Sequence, residues 1–194
     1  MKRVLISGFG TFDHHQENSS EIMVNLFTEA QVDGAEIATI VLPVTFREAF
    51  DILNEKVHLF RPDVVVCLGL ADRRQAITLE KVAINQIHCR ISDNEGIQHQ
   101  DKLILEGGPT AYFSTLPLKE MRELSTAFPV EMSYSAGTYV CNYLMYRVLN
   151  SVESSNVKAG FIHLPSIHNN KERMFESLKT MLDPIINQYN CFPW

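Results

Sequence analysis

Val64-Val65-Val66-Cys67-Leu68 carries no polar side chain, and it is bounded by Arg61-Pro62-Asp63 before it and Gly69 after it. A strand with one wet face alternates polar with apolar residues; a run like this one must be covered on both faces. The preceding residues say what covers it. Val4 to Ser7 is a second near-continuous apolar run, closed by Gly8, and Glu36 to Val44 is a third. Helical patterns lie between them. Glu21 to Glu29 follows Ser20 as N-cap and sets Ile22, Leu26 and Ala30 on one face. Thr45 to Phe60 does the same with Phe46, Ala49, Phe50, Leu53 and Val57. Strand, helix, strand, helix, strand is the order of a parallel sheet with helices packed on its faces.

The rest of the chain continues in the same style. Ala76 to His88 predicts one or two strands, Ser92 to Gly96 a turn, and Gln98 to Thr110 a polar loop or hairpin. A helix is expected from Leu116-Pro117 to Phe128, then a strand at Val130 to Tyr134 and a helix from Tyr143 to Leu149 capped by Thr138. Ala159 to Leu164 reads as a strand, and Asn170 to Tyr189 as a long amphipathic helix. With 194 residues and no repeat or linker, the expectation is one domain, 1-194. Its fold class is α/β, a three-layer α/β/α arrangement around a mostly parallel (mixed) central sheet.

Composition removes several function classes. The net charge of −6 and the absence of a lysine or arginine cluster argue against nucleic acid as a partner. No run reaches the length of a membrane span, and the apolar stretch after Met1-Lys2-Arg3 stops at Ser7-Gly8, too short for a signal sequence. Cys67, Cys89, Cys141 and Cys191 form no C-x-x-C pair. Reduced thiols and a cytoplasmic setting are expected. The histidines show no metal spacing, His14-His15 being adjacent rather than one helical turn apart, so no metal is expected. Gly8-x-Gly10 lacks the third glycine of a dinucleotide fingerprint, where Asp13 stands, and no cofactor is expected.

Chemistry concentrates at two strand ends. Cys141 falls in the first turn of the helix after the Val130 strand, where free N–H groups and the helix dipole favour thiolate. His163 lies at the carboxyl end of the Ala159 strand. Ligands in open α/β sheets sit at such ends, and a right-handed crossover between the two strands makes them parallel and adjacent. Both side chains then face one crevice, and an imidazole there can take the thiol proton. The alternative for Cys141 is a small buried hydrophobe, and for His163 a core histidine bonded to backbone. A third group to hold the imidazole has four candidates: Glu80, Asp72, Asp93 and Glu131.

Five stretches carry a resemblance. Ser135-Ala136-Gly137-Thr138-Tyr139-Val140-Cys141-Asn142, Leu79-Glu80-Lys81-Val82-Ala83-Ile84-Asn85 and Gly160-Phe161-Ile162-His163-Leu164-Pro165 resemble the cysteine, glutamate and histidine motifs of the pyroglutamyl peptidase I family. Ala111 to Pro117 and Ser92 to Gly96 also match, in order, over nearly the whole chain. The resemblance implies a cysteine exopeptidase that removes N-terminal pyroglutamate from peptides through a thioacyl-enzyme. It implies Glu80, Cys141 and His163 as catalytic triad, and Arg90, just before the Asp93 turn, as an oxyanion ligand. It further implies a homo-oligomer, dimer or tetramer.

The substrate pocket departs from the family pattern. The family's first loop reads G-F-x-P-F-G-G and then N-P-S; here Phe9, Phe12 and Asn18 stay in place, while Thr11 and Asp13 to His15 differ. After the Val64 strand the family has L-G-Q-A-G-G-R, and this chain has Leu68-Gly69-Leu70-Ala71-Asp72-Arg73-Arg74. Phe9 and Phe12 suit the faces of a lactam ring. Leu70 removes a polar group from its edge. Two further readings therefore stand beside the peptidase: a thiol amidohydrolase with altered acyl specificity, and a non-catalytic binding homologue.

Overall fold

The protein is described by a computed structural model covering residues 1–12, 16–124, 127–167 and 170–187. It is one α/β domain. The first half follows the predicted order: β1 (Lys2–Phe9), α1 (Ser19–Glu29), β2 (Ala35–Leu42), α2 (Arg47–Phe60) and β3 (Val64–Leu70). Then come β4 (Ile77–Glu80), β5 (Val82–Ile84), β6 (Ala111–Phe113), α3 (Leu118–Leu124), β7 (Val130–Ser133), α4 (Val140–Val152), β8 (Lys158–Leu164) and α5 (Lys171–Ile186). The predicted end of the last helix at Tyr189, together with His14, His15, His168 and Cys191, lies outside the described residues.

The central sheet has six strands in the order β2-β1-β3-β8-β4-β7. β2, β1, β3 and β8 run parallel. β4 pairs antiparallel with β8, and β7 parallel with β4. The expected parallel, adjacent pairing of the Val130 and Ala159 strands is therefore wrong. β4 lies between them, and the two run in opposite directions. A right-handed crossover constrains strands that are parallel in one sheet; these two are not, so the rule had nothing to act on.

Period-two alternation divides the core into two halves. Val65 and Cys67 of β3, with Ala159 and Phe161 of β8, pack under α2 and α4. Val64, Val66 and Leu68, with Ile162 and Leu164, pack under α1, α3 and α5. The middle layer is thus covered on both sides, as the unbroken apolar run of β3 requires. α1 approaches β1 so closely that a Cβ on Gly8 would sit 2.6 Å from the Ser20 carbonyl oxygen.

Helix starts differ from the sequence reading in instructive ways. Asn18 caps α1, its side chain accepting the Ser20 N–H at 3.0 Å, while the Ser20 hydroxyl turns inward to Phe9. Thr138 does not cap α4; its hydroxyl donates to the His88 carbonyl at 2.7 Å. α4 starts after Tyr139 with no side-chain cap. α3 is described over Leu118–Leu124, and Ala127 and Phe128, expected at the end of that helix, are not helical. β6 was not expected as a strand; its three residues pair with β5 as a separate small sheet.

Candidate active site

Alternation also sets the site. On β4, Ile77 and Leu79 join the core half under α1, α3 and α5, so Thr78 and Glu80 point to the α4 side. On β8, Phe161 faces α4, and His163 follows it by the same period. The register places Thr78 opposite His163 and Glu80 opposite Phe161. Glu80 and His163 are therefore diagonal neighbours on one face, within reach of long side chains. Their side chains meet: His163 Nδ1 lies 2.7 Å from Glu80 Oε1. Phe161 supports the imidazole from below, with ring centroids 4.8 Å apart.

Glu80 is fully buried and His163 nearly so. Burial alone raises a carboxyl, but here the hydrogen bond and charge of His163, the Ser133 hydroxyl and the Arg74 guanidinium hold Glu80 below the usual value. An ionised carboxylate only accepts, so Nδ1 carries the hydrogen of that bond, and Nε2 is the ring nitrogen left for another partner.

Cys141 reaches the same spot from α4. A Cβ built on Gly69 would lie 3.1 Å from Cys141 Sγ and 2.7 Å from the Phe161 ring, and Gly69 is the register partner of His163 on β3. The glycine leaves room for the sulfur over β3, and Cys141 and His163 line the same cavity. Asn142, fully buried, fixes the start of α4: it accepts from Ile84 N–H at 2.9 Å and donates to the Ile84 and Gln86 carbonyls. The expectation of a thiolate is corrected. Burial first, then the Glu80 charge and Cys67, push the Cys141 thiol up to about 12. A helix start supplies only partial charge, too little to offset burial beside a carboxylate. Cys67 is inert in the same way, pushed up to about 12 by burial.

Two spaces meet at Cys141. An open cavity of about 810 Å³ is lined by His163, Arg74, Arg90 and Tyr139 among others. A narrow recess of about 60 Å³ adjoins it, formed by Phe9, Phe12, Asn18, Val44, Leu70 and Tyr139. All four residues expected at the substrate pocket thus line the recess. Asn18 has prior commitments there: besides capping α1 it donates to the Gly10 carbonyl at 2.8 Å and accepts from the Ser20 hydroxyl. Arg90 is exposed on the wall of the larger cavity, and the backbone pair between His88 and Thr138 ties its segment to the cysteine loop. Of the other acidic candidates, Asp93 instead receives the Phe46, Glu95 and Ile97 N–H groups. Sequence reasoning missed Arg74, whose Nη1 lies 2.5 Å from Glu80 Oε1; its one signal was a match to the arginine that ends the L-G-Q-A-G-G-R pattern. Among the described residues no group of three His, Cys, Asp or Glu side chains is placed to hold a metal.

A family model for pyroglutamyl peptidase matches residues 2–179. The chain belongs to the pyroglutamyl peptidase family. It is 40% identical over 170 residues to the pyrrolidone-carboxylate peptidase of Bacillus subtilis, covering 86% of this chain and 79% of that one. The Halalkalibacterium halodurans pyrrolidone-carboxylate peptidase is 43% identical over 168 residues, covering 84% and 83%. Among solved structures, the pyrrolidone carboxyl peptidase from Thermococcus litoralis superposes with a TM-score of 0.91 at 32% identity, over the full length of both chains. Pyroglutamyl peptidase I of Bacillus amyloliquefaciens gives 0.87 at 34% identity, over 93% and 95%. The fold predicted from the apolar runs is therefore the fold of this peptidase family.

Proposed function

We propose that this chain is a cysteine-type omega peptidase that hydrolyses the N-terminal pyroglutamyl residue from peptides, with Cys141 as nucleophile, His163 as general base and acid, and Glu80 as the group that orients it. The observation that carries the mechanism is the buried 2.7 Å contact between Glu80 and His163, with Cys141 seated over the register partner of that histidine. Nε2 of His163 takes the thiol proton as sulfur attacks the pyroglutamyl carbonyl carbon. The free N–H groups at the start of α4 and the Arg90 guanidinium support the oxyanion. As the C–N bond breaks, the imidazolium returns its proton to the leaving amine. Water, activated by the same nitrogen, then hydrolyses the thioester and releases pyroglutamate. Because the thiol rests protonated, His163 acts as base during attack rather than as one half of a standing ion pair.

The acyl group belongs in the recess between Phe9 and Phe12, and the departing peptide in the larger cavity. Leu70 at the recess wall favours a second reading, a preference for a more apolar acyl group than the lactam. A cytoplasmic dimer or tetramer completes the proposal; the free thiols of Cys67, Cys89 and Cys141 suit a reducing compartment.

The test is hydrolysis of a pyroglutamyl-aminoacyl fluorogenic amide beside prolyl and leucyl analogues in reducing buffer. Cleavage of the pyroglutamyl amide is expected, falling by at least about a thousandfold in Cys141→Ala. Turnover that survives this substitution defeats the mechanism. Cleavage of another acyl amide alone, lost in Cys141→Ala, selects the second reading.

A further inference from the structure

Glu80 Oε1 receives two groups at once: His163 Nδ1 at 2.7 Å and Arg74 Nη1 at 2.5 Å. Arg74 comes from the β3–β4 connection. Its own N–H is tied to the Ala71 carbonyl at 2.9 Å, and its guanidinium also meets the Thr78 hydroxyl. Thr78 in turn is the register partner of His163. About a third of the Arg74 side chain is exposed, and that part lines the cavity next to Cys141. A fixed cation thus reaches the buried carboxylate from the substrate side.

The chemistry of the cycle explains why this matters. A buried carboxylate whose only neighbour is an imidazole draws a proton onto that imidazole, and an imidazolium cannot accept the thiol proton. A permanent positive charge on the same oxygen offsets the carboxylate while the imidazole is uncharged. Arg74 supplies that charge throughout the cycle, because guanidinium does not deprotonate in proteins. His163, in contrast, must gain and lose its proton twice per turnover.

We infer that Arg74 is a positioning residue that keeps Glu80 ionised and compensated, leaving His163 free to act as base at neutral pH. The inference rests on the triad reading above. Other titratable and polar groups stand around the site. Cys141 faces it from α4, Cys67 lies on β3, and β7 contributes the Ser133 hydroxyl. Asp72 and Arg73 precede Arg74 on the connection, and His88 and Arg90 line the same cavity. Among the described residues, Arg74 and His163 are the two basic side chains that contact Glu80, and Arg74 is the one whose charge is permanent.

The experiment is the pH profile of kcat/KM for wild type, Arg74→Gln and Arg74→Lys on whichever amide the wild type cleaves. In Arg74→Gln the acid limb is expected to move up by about one pH unit, so that activity on that limb falls about tenfold. Arg74→Lys is expected to keep the limb near its wild-type position. A uniform fall in kcat with the limb unmoved makes Arg74 merely structural and overturns the inference. A wild type with no turnover instead defeats the functional reading. If Arg74→Gln does not fold, a ¹³C titration of the Glu80 carboxyl in the wild type decides the matter. The carboxyl is expected to stay ionised throughout the titration of His163 and to take its proton in a separate step at lower pH. Uptake in the same step as the imidazole overturns the inference.

Discussion

The thiol of Cys141 rests protonated, pushed up to about 12 by burial, by Glu80 and by Cys67. The sign of the linkage follows. The folded chain binds this proton more tightly than the unfolded chain, whose ordinary value is 9.0. The stabilisation is therefore complete below pH 9 and is lost as pH rises toward 12. Alkylation follows the thiolate fraction. The rate of Cys141 labelling by iodoacetamide, followed by mass spectrometry, is expected to keep rising above pH 9, where an ordinary cysteine levels off. A plateau already reached at neutral pH contradicts the resting state described above. Position in the sequence pointed to the nucleophile. It could not report this protonation state, which depends on Glu80, sixty-odd residues away, and on the depth at which Gly69 lets the sulfur sit.

At the scale of elements, α1 shows how the pocket depends on a cap. Asn18 serves as the N-cap of α1, the tie to Gly10 and part of the recess wall. Asn18→Ala is expected to lower stability by about 1 kcal/mol, read from a denaturant midpoint at constant m, and to raise KM more than it lowers kcat. An unchanged KM removes Asn18 from the pocket. The sequence marked this stretch well enough to name Asn18 but assigned the cap to Ser20, since both residue types are good caps and only the packing of Ser20 against Phe9 separates them. β1 and β3 were legible because a strand buried on both faces has an unmistakable apolar run, and the edge strand β2, half-exposed along most of its length, by its largely apolar composition. The order of β4, β7 and β8 was not, because strand direction in a mixed sheet is decided by connections that leave no periodic trace. Glu80 was legible only as one of four acidic candidates until the motifs were compared, and Arg74 not at all as a partner for it.

Across the whole molecule, the site depends on long-range pairing. Glu80 and His163 are 83 residues apart and meet only when β4 lies antiparallel against β8. Helices form quickly from local contacts, whereas such pairing must first close a long loop. In a refolding experiment, recovery of peptidase activity is expected to lag behind recovery of far-ultraviolet helix signal. Coincident recovery argues that the pairing forms with the helices. The boundary between β8 and β4 has a wider meaning. It is the seam where the four parallel strands join the two that run against them, and the proposed base and its orienting carboxylate stand on opposite sides of it. A break in the backbone between Glu80 and His163 leaves one of the pair in each fragment. Hydrolysis then serves as a proximity reporter for the two pieces, silent until they knit into one sheet.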